Sequence, residues 1–517
     1  MTSRSSARRA TVLLTAVAAA LSALPALPAA SATSAASTVP TLVAARSTPV
    51  PIATPDGLLM SYVVNATVAG PQDIATVKRA VRLAGGVVVQ AWPQIGVVIA
   101  HSDRAAFRSR VVALAGGVVG GAEPTRTVAV VEGNPAAVVV PWSAARTAPV
   151  VAGSPGAHRA SPAGHLVNGD AAAPVPDPRE SAQWDLKLIK ADTAHLTTDG
   201  SATVVVGVLD SGIDASHPDL APNIDSADSV NCTDAGRPDT SATGWLPTTS
   251  VHGTHVAGTI AAARNGIGIV GVAPGVRLAS VKVVDDAGYI YPEYAICGFV
   301  WAGLRGMAVT NNSYYVDPFE FYCDDQPEQS VPAEAIRRAV AWSSARGVVH
   351  AAAAGNSSVD LAHKTTDFGS PDDGTPVART LNQSCHDLPA ELPGVAVVSA
   401  LAQVGSTSTG TLASYSNRGN GVIDVTAPGS SILSTLPGNG YGTLSGTSMA
   451  SPHVAGVLAL MKSAHPGYSP AQLLTTLANE ADAQACSPSP GGPACLGRPA
   501  RNSYYGNGVV DAASAVR

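Results

Sequence analysis

Aromatic residues make up only 4% of the 517-residue chain, and charged residues only 13%. With so few rings, any core must be built from Ala, Val, Leu and Ile. Lys and Arg (31) do not outnumber Asp and Glu (37), which leaves a formal charge of −6. That mild acidity offers no footprint for nucleic acid and no polybasic patch for a membrane surface. The six cysteines include no CxxC and no clustered Cys/His spacing, so a zinc site has no support. Gly and Pro (50 and 39) stay well below the roughly 25–30% that marks a low-complexity chain. Beyond the N-terminus no apolar run is membrane-like, which excludes a polytopic membrane protein. What is present is a globular chain, 46% apolar, long enough for more than one domain.

The single apolar run follows Arg4, Arg8 and Arg9 and extends from Thr11 to Leu27. Pro25 and Pro28 end it early, and Ala30-Ser31-Ala32 offers a small-residue cleavage site. Residues 1–32 therefore read as a cleaved signal peptide of bacterial type, and the product as secreted and extracellular. No Cys follows the cleavage site and no apolar tail ends the chain, so neither a lipid anchor nor a membrane is expected after cleavage. An even cysteine count in an exported chain favours disulfides; Cys486 and Cys495, flanking a Pro/Gly-rich loop, are the best local pair.

Composition divides the remainder. Residues 33–57, rich in Ser, Thr, Ala and Pro, read as a flexible lead-in. Residues 58–132 read as β-α-β-β-α-β, the ferredoxin-like pattern, with Ile74, Val77, Ala80 and Val81 on one helix face and Asp103 as N-cap of the second helix. Residues 133–181 read as a linker. From 182 to 517, short apolar runs (203–209, 278–284, 308–312, 348–354, 395–400) alternate with helical stretches (252–263, 293–305, 333–346, with Gly347 as terminator). Runs apolar on both faces suit buried parallel strands, so an α/β domain with a mostly parallel sheet is expected.

Three segments carry chemistry. The first strand ends in Asp210-Ser211-Gly212, where open α/β sheets place their sites. His252-Gly-Thr-His255 opens a helix of small residues. Ser445-Gly-Thr-Ser448 precedes a helix apolar all round, so Ser448 sits at the N-terminus of a buried helix, where backbone N–H groups favour negative charge. Each alone is a cap or turn residue more often than a catalytic one. Their arrival in the order Asp, His, Ser on the expected elements changes that.

At this point the chain resembles the subtilisin-like serine proteases. The resemblance runs from about Gln183 to the C-terminus and rests on Asp210-Ser-Gly-Ile-Asp-Ala-Ser-His-Pro-Asp219, His252-Gly-Thr-His-Val-Ala-Gly, Ala353-Ala-Gly-Asn356 and Gly446-Thr-Ser-Met-Ala-Ser-Pro-His. It implies a three-layer αβα fold and a serine endopeptidase working through an acyl-enzyme. Ser448 would be the nucleophile, His252 the general base, Asp210 its orienting partner and Asn356 an oxyanion donor. Substrate binding would involve Asn312, Ser313, Tyr314 and Tyr315 on one wall and Ala353, Ala354 and Gly355 on the other. Tyr314-Tyr315 departs from the family's Ser-Leu-Gly and would narrow the P1 pocket. The resemblance also implies structural calcium, with no organic cofactor. Gln183, Asp219 and Asn265 would give side-chain oxygens, and Ala263, Ile267 and Ile269 carbonyls. Residues 58–132 would be a prodomain that assists folding and blocks the groove until the junction, between about Thr125 and Ser181, is cut. The enzyme is expected to be a monomer acting on proteins or peptides. A dedicated maturation protease for one partner, and a non-catalytic binding relative, stay as alternatives.

Overall fold

A computed structural model describes residues 46–130, 175–406, 409–486 and 493–517. The expected signal peptide, the start of the lead-in and most of the linker lie outside the described residues.

The segment 60–124 forms four strands and two helices: Met60–Ala66 (β1), Pro71–Leu83 (α1), Val87–Trp92 (β2), Val97–Ser102 (β3), Phe107–Leu114 (α2) and Val119–Pro124 (β4). The sheet order is β2-β3-β1-β4, all antiparallel, which is the ferredoxin-like topology. Ile74, Val77, Ala80 and Val81 are the buried face of α1, as their spacing predicts. α2 starts later than expected: Phe107 opens it and Asp103 does not cap it, its side chain lying 3.2 Å from that of Arg104 instead. The lead-in is not loose from Arg46 onward. The Ser47 N–H and hydroxyl both donate to Asp325, and Val50 and Ile52 are buried, because apolar side chains there find a surface to cover.

The larger sheet has nine strands. In chain order they are Val205–Asp210 (β5), Val230–Asp234 (β6), Arg237–Asp239 (β7), Arg277–Lys282 (β8), Val309–Asn312 (β9), Val349–Ala353 (β11), Val395–Gln403 (β13), Gly410–Leu412 (β14) and Val425–Pro428 (β15). A two-residue strand, Tyr322–Cys323 (β10), pairs antiparallel with Cys385–His386 (β12) outside this sheet. The order is β14-β13-β11-β9-β5-β8-β6-β7, with β15 also on β13. Every pairing is parallel except β6–β7 and β13–β14. Val206, Val208, Leu278, Val309 and Ala351 have essentially no exposure, so the apolar runs are the covered middle of the sheet.

Helices His252–Ala261 (α3), Pro292–Arg305 (α4), Pro327–Ala345 (α5) and Thr447–Ala464 (α6) cover it. α5 begins six residues before the expected Ala333, because Pro332 lies inside the helix and is accommodated there. The four-stranded sheet packs on α4 and α5. Asn65 Nδ2 donates to the Val331 carbonyl (2.8 Å), Arg338 to the Ala66 carbonyl (2.8 Å) and Ser61 to Glu293 (2.8 Å). Arg126 pairs with the fully buried Glu293 and lies over the Tyr291 ring. A Cβ at Gly121 would meet Val331 at 2.5 Å, so glycine sets that approach.

Disulfides join Cys232–Cys297, Cys323–Cys385 and Cys486–Cys495, the last being the pair expected from sequence. Cys323 and Cys385 sit opposite each other on β10 and β12. Closing a 62-residue separation, that bridge stabilises by roughly 4 kcal/mol on loop-entropy grounds. Among the described residues no helix is long and apolar enough to cross a membrane.

Candidate active site

Sheet register builds the site. β5 pairs with β9 so that Leu209 faces Asn312. Asp210 and Ser313 therefore emerge side by side at the carboxyl ends of neighbouring parallel strands. Asp210 is 1% exposed, and both its oxygens lie 2.9 Å from His252 Nδ1. A carboxylate only accepts, so Nδ1 carries the proton and Nε2 is left as the basic nitrogen. The Ser211 N–H also donates to Asp210 Oδ1 at 2.7 Å. A Cβ at Gly253 would lie 2.4 Å from the Gly212 carbonyl, so only glycine lets α3 start this close to the strand end. Burial lowers the His252 pKa, but the charge and hydrogen bond of Asp210 outweigh it, and the net direction is upward from 6.5. His255, one turn on, is buried with Nε2 2.9 Å from the Ile432 carbonyl; burial pushes it down to about 4, so it is neutral and structural.

Ser448 occupies the first turn of α6. Its hydroxyl donates to the Ser313 carbonyl at 3.2 Å, and Ser313 Oγ donates back to the Ser448 carbonyl at 2.8 Å. The nucleophile candidate is thus tied to the strand end next to Asp210. Asn356 follows β11, and its Oδ1 accepts from the Thr447 N–H (2.8 Å) and hydroxyl (2.9 Å). A backbone N–H can only donate, so the amide's orientation is fixed and Nδ2 faces away from Thr447. A Cβ on Gly446 would stand 3.5 Å from Asn356 Nδ2 and 3.6 Å from the Ser448 N. Two donors therefore flank one small open space.

Ser313, Tyr314, Tyr315, Ala353 and Gly355 line one cavity of about 370 Å³ together with Asn356, Thr447 and Ser448. The tyrosine pair forms a wall and leaves the pocket open: the Tyr314 hydroxyl turns to Asn312 Oδ1 (3.1 Å) and that of Tyr315 to Asp372 (2.8 Å). Asn312 and Ala354 do not line it. Both have no exposure; the Asn312 amide donates to Thr310 Oγ1 and the Ala351 carbonyl, and the Ala354 carbonyl accepts from Asn417, so they hold strands rather than face substrate. Among the liners that sequence reasoning missed are four acids: Asp317, Glu320, Asp372 and Asp387. They lie outside the motifs that carry the resemblance, and no spacing marks them.

The expected calcium residues gather around the loop 263–269. Asp219 Oδ2 accepts from the Ile269 N–H (3.0 Å) and the Tyr441 hydroxyl (2.8 Å), while Asp219 Oδ1 is buried with no partner. Among the described residues no backbone N–H pairs with the carbonyls of Ala263, Ile267 or Ile269, whereas that of Gly268, between them, accepts from Arg179. An orphaned carboxylate oxygen beside unpaired carbonyls is a donor set that fits a calcium ion. Two of the expected oxygens are engaged: Gln183 Oε1 accepts from Val270 and Asn265 Oδ1 from Ile267. Asp177, inside the stretch read as linker, is buried and accepts from the Gly266 and Asn265 N–H groups, so the folded unit begins before residue 182.

The comparisons with known proteins bear on this geometry. The subtilase family model matches residues 201–508. Subtilisin E of Bacillus subtilis (strain 168) is 35% identical over 338 residues, covering 65% of this chain and 72% of its own. A subtilisin of Bacillus pumilus is also 35% identical, over 65% of this chain and all of its own. Fervidolysin from Fervidobacterium pennivorans, described as a keratinolytic enzyme related to subtilisin, superposes with a TM-score of 0.59 at 25% identity, over 89% of this chain and 61% of that one. The epidermin leader peptide processing serine protease of Staphylococcus aureus shares the fold (TM-score 0.61, 18% identity, 89% and 98% covered). A mostly parallel sheet bearing Asp210, His252 and Ser448 at its strand and helix ends, matched over more than half of the chain, thus has one home: the chain belongs to the subtilase family and is a subtilisin-like serine protease.

Proposed function

We propose that the protein is a secreted endopeptidase, made as a zymogen, that cleaves peptide bonds through an acyl-enzyme at Ser448. The observation that carries this reading is the Leu209–Asn312 pairing, which sets the Asp210–His252 couple beside the strand end that holds Ser448. On substrate binding the Ser448 hydroxyl leaves the Ser313 carbonyl and gives its proton to His252 Nε2 as Oγ bonds to the scissile carbonyl carbon. Asp210 keeps the proton on Nδ1 and stabilises the imidazolium. Asn356 Nδ2 and the Ser448 N–H receive the oxyanion. The imidazolium then protonates the leaving amine, and water, deprotonated by the same His252, releases the acid. A serine-directed fluorophosphonate is expected to label Ser448 stoichiometrically; an unlabelled wild-type protein overturns the reading.

Asn356→Ala is expected to lower kcat by about 10²–10³ with KM little changed, the size known for such a donor in this family. Its oxygen only braces Thr447, so a second variant, Thr447→Val, separates bracing from oxyanion stabilisation by leaving the amide in place.

Residues 58–132 are assigned as the prodomain, docked on α4 and α5 through Arg126–Glu293. Three disulfides support export. Calcium is assigned to the loop 263–269. Asp219 with the carbonyls of Ala263, Ile267 and Ile269 would hold it, and Gln183 and Asn265 would join by releasing their backbone partners. The ion would supply positive charge that fixes this loop against Asp219. A chelator is then expected to lower the melting midpoint, because the protein loses about 2.7 kcal/mol of stability for ion at a hundredfold excess over Kd. An unchanged midpoint counts against the site.

A further inference from the structure

Among the described residues the cavity beside Ser448 is lined by Asp317, Glu320, Asp372 and Asp387, and by no lysine or arginine. Asp387 decides its character. It is 2% exposed, and its Oδ1 has no hydrogen-bond partner. Lys364, whose charge reaches Asp387, makes its hydrogen bonds elsewhere, to Glu391 at 2.6 Å and to the Leu361 carbonyl. Glu391 itself faces the Asp387 N–H (2.7 Å) and adds negative charge. Leaving a buried carboxylate oxygen unpaired costs about 1–3 kcal/mol or more, which points to a partner that arrives with a ligand.

The other acids line the same wall. Asp317 is 5% exposed and close enough to Asp372 for the two carboxyls to share a proton, and the Tyr315 hydroxyl donates to Asp372. Glu320 accepts from Ser357. Burial first, then the neighbouring carboxylates, pushes Asp317 and Asp387 well above the usual carboxylate range. Tyr289, Tyr314 and Tyr315 supply flat apolar walls for an alkyl stem. Gly355 keeps the way open: a Cβ there would fall 2.3 Å from Asn417 Nδ2 and 3.6 Å from Asp387 Oδ2. The Cys323–Cys385 bridge, two residues from Asp387, pins this wall.

We propose that this cavity is an acidic P1 pocket and that the enzyme cleaves after lysine or arginine, with Asp387 as the specificity-determining residue. The inference rests on Ser448 being the nucleophile. It also bears on processing of the chain itself. Between 125 and 181 the basic residues are Arg126, Arg146, Arg159 and Arg179. Arg126 is locked on Glu293, and Arg179 lies over the Tyr441 ring with its N–H on Gly268, so the first cut is expected after Arg146 or Arg159.

The test uses two fluorogenic peptides that differ only in Arg or Phe before the bond, with fluorophosphonate labelling in parallel. Wild type is expected to favour Arg by at least about 30-fold in kcat/KM, and Asp387→Asn to lose roughly 30- to 1,000-fold of that ratio. Should the variant fold poorly, wild-type digestion of an unfolded protein, with cleavage sites read by mass spectrometry, is expected to cluster after Lys and Arg. So is the first amino terminus formed on refolding the full chain. Labelled enzyme that prefers Phe, or cuts mainly after apolar residues, overturns the pocket assignment and leaves the protease reading standing. Failure to label overturns the protease reading itself.

Discussion

Ser448→Ala is expected to lower kcat about 10⁶-fold, the size of the equivalent loss in this family, and to leave the chain uncut between the small domain and the protease. The substitution removes one oxygen from a partly exposed side chain whose single hydrogen bond, to the Ser313 carbonyl, is 3.2 Å long. The return bond, from Ser313 Oγ, goes to the Ser448 backbone carbonyl and survives. Alanine is also the best helix former, and position 448 lies in the first turn of α6. Stability should therefore move by no more than about 0.5 kcal/mol, and the lost activity is chemical rather than a folding defect. Some 10³–10⁴ of acceleration over water should persist, because the Asn356 amide and the groove are untouched. Intact-mass measurement of the refolded chain, with no other protease present, is the check. Full-length product is the expected outcome; a variant that still matures at the wild-type rate removes Ser448 from the role of nucleophile.

What the sequence makes legible follows the range of the forces involved. The buried strands β5, β8, β9, β11 and β13 stand out because a parallel strand covered on both faces needs contiguous apolar residues. The ferredoxin-like order is legible for the same reason, down to the buried face of α1. Asp210, His252 and Ser448 are marked by local patterns, because each lies at the end of an element whose start or stop is coded nearby, whereas Asn356 is marked only by the family resemblance. Pro332 hides the first turns of α5, since a local rule is overridden there by packing against the small domain. The acidic pocket is not legible at all. Asp317 and Asp372 are far apart in sequence, and Asp387 reaches the cavity only because β10 and β12 pair and are bridged. Register between distant segments carries that information, and no spacing within either segment records it. The cavity walls at Asn312 and Ala354 are misjudged for a related reason: a strand's alternation says that neighbours face opposite ways, but which side is solvent depends on the covering helix.

Asp210→Asn should cost about 10⁴ in kcat while keeping the shape of the site. Asparagine is nearly isosteric, and Asp210 is 1% exposed, so little repacking follows. The change is in hydrogen-bond logic. Both carboxylate oxygens accept at 2.9 Å from His252 Nδ1, and the Ser211 N–H donates to Oδ1. In the amide, the oxygen takes the Ser211 N–H, a donor that cannot reverse, and the NH₂ is turned to His252. Nδ1 must then accept, Nε2 carries the proton, and the ring cannot take one from Ser448. The pH profile separates this from simple misplacement. His252 is raised above 6.5 because the charge and bond of Asp210 outweigh burial. Wild-type kcat/KM therefore falls as pH drops through that raised value, where the ring becomes protonated. Without the negative charge only burial remains, which lowers the pKa, so the variant's residual activity should persist to lower pH. The ratio of wild type to variant is expected to shrink as the solution is acidified from pH 8 to 5. Parallel acid limbs in the two proteins would mean that Asp210 does not set the charge state of His252.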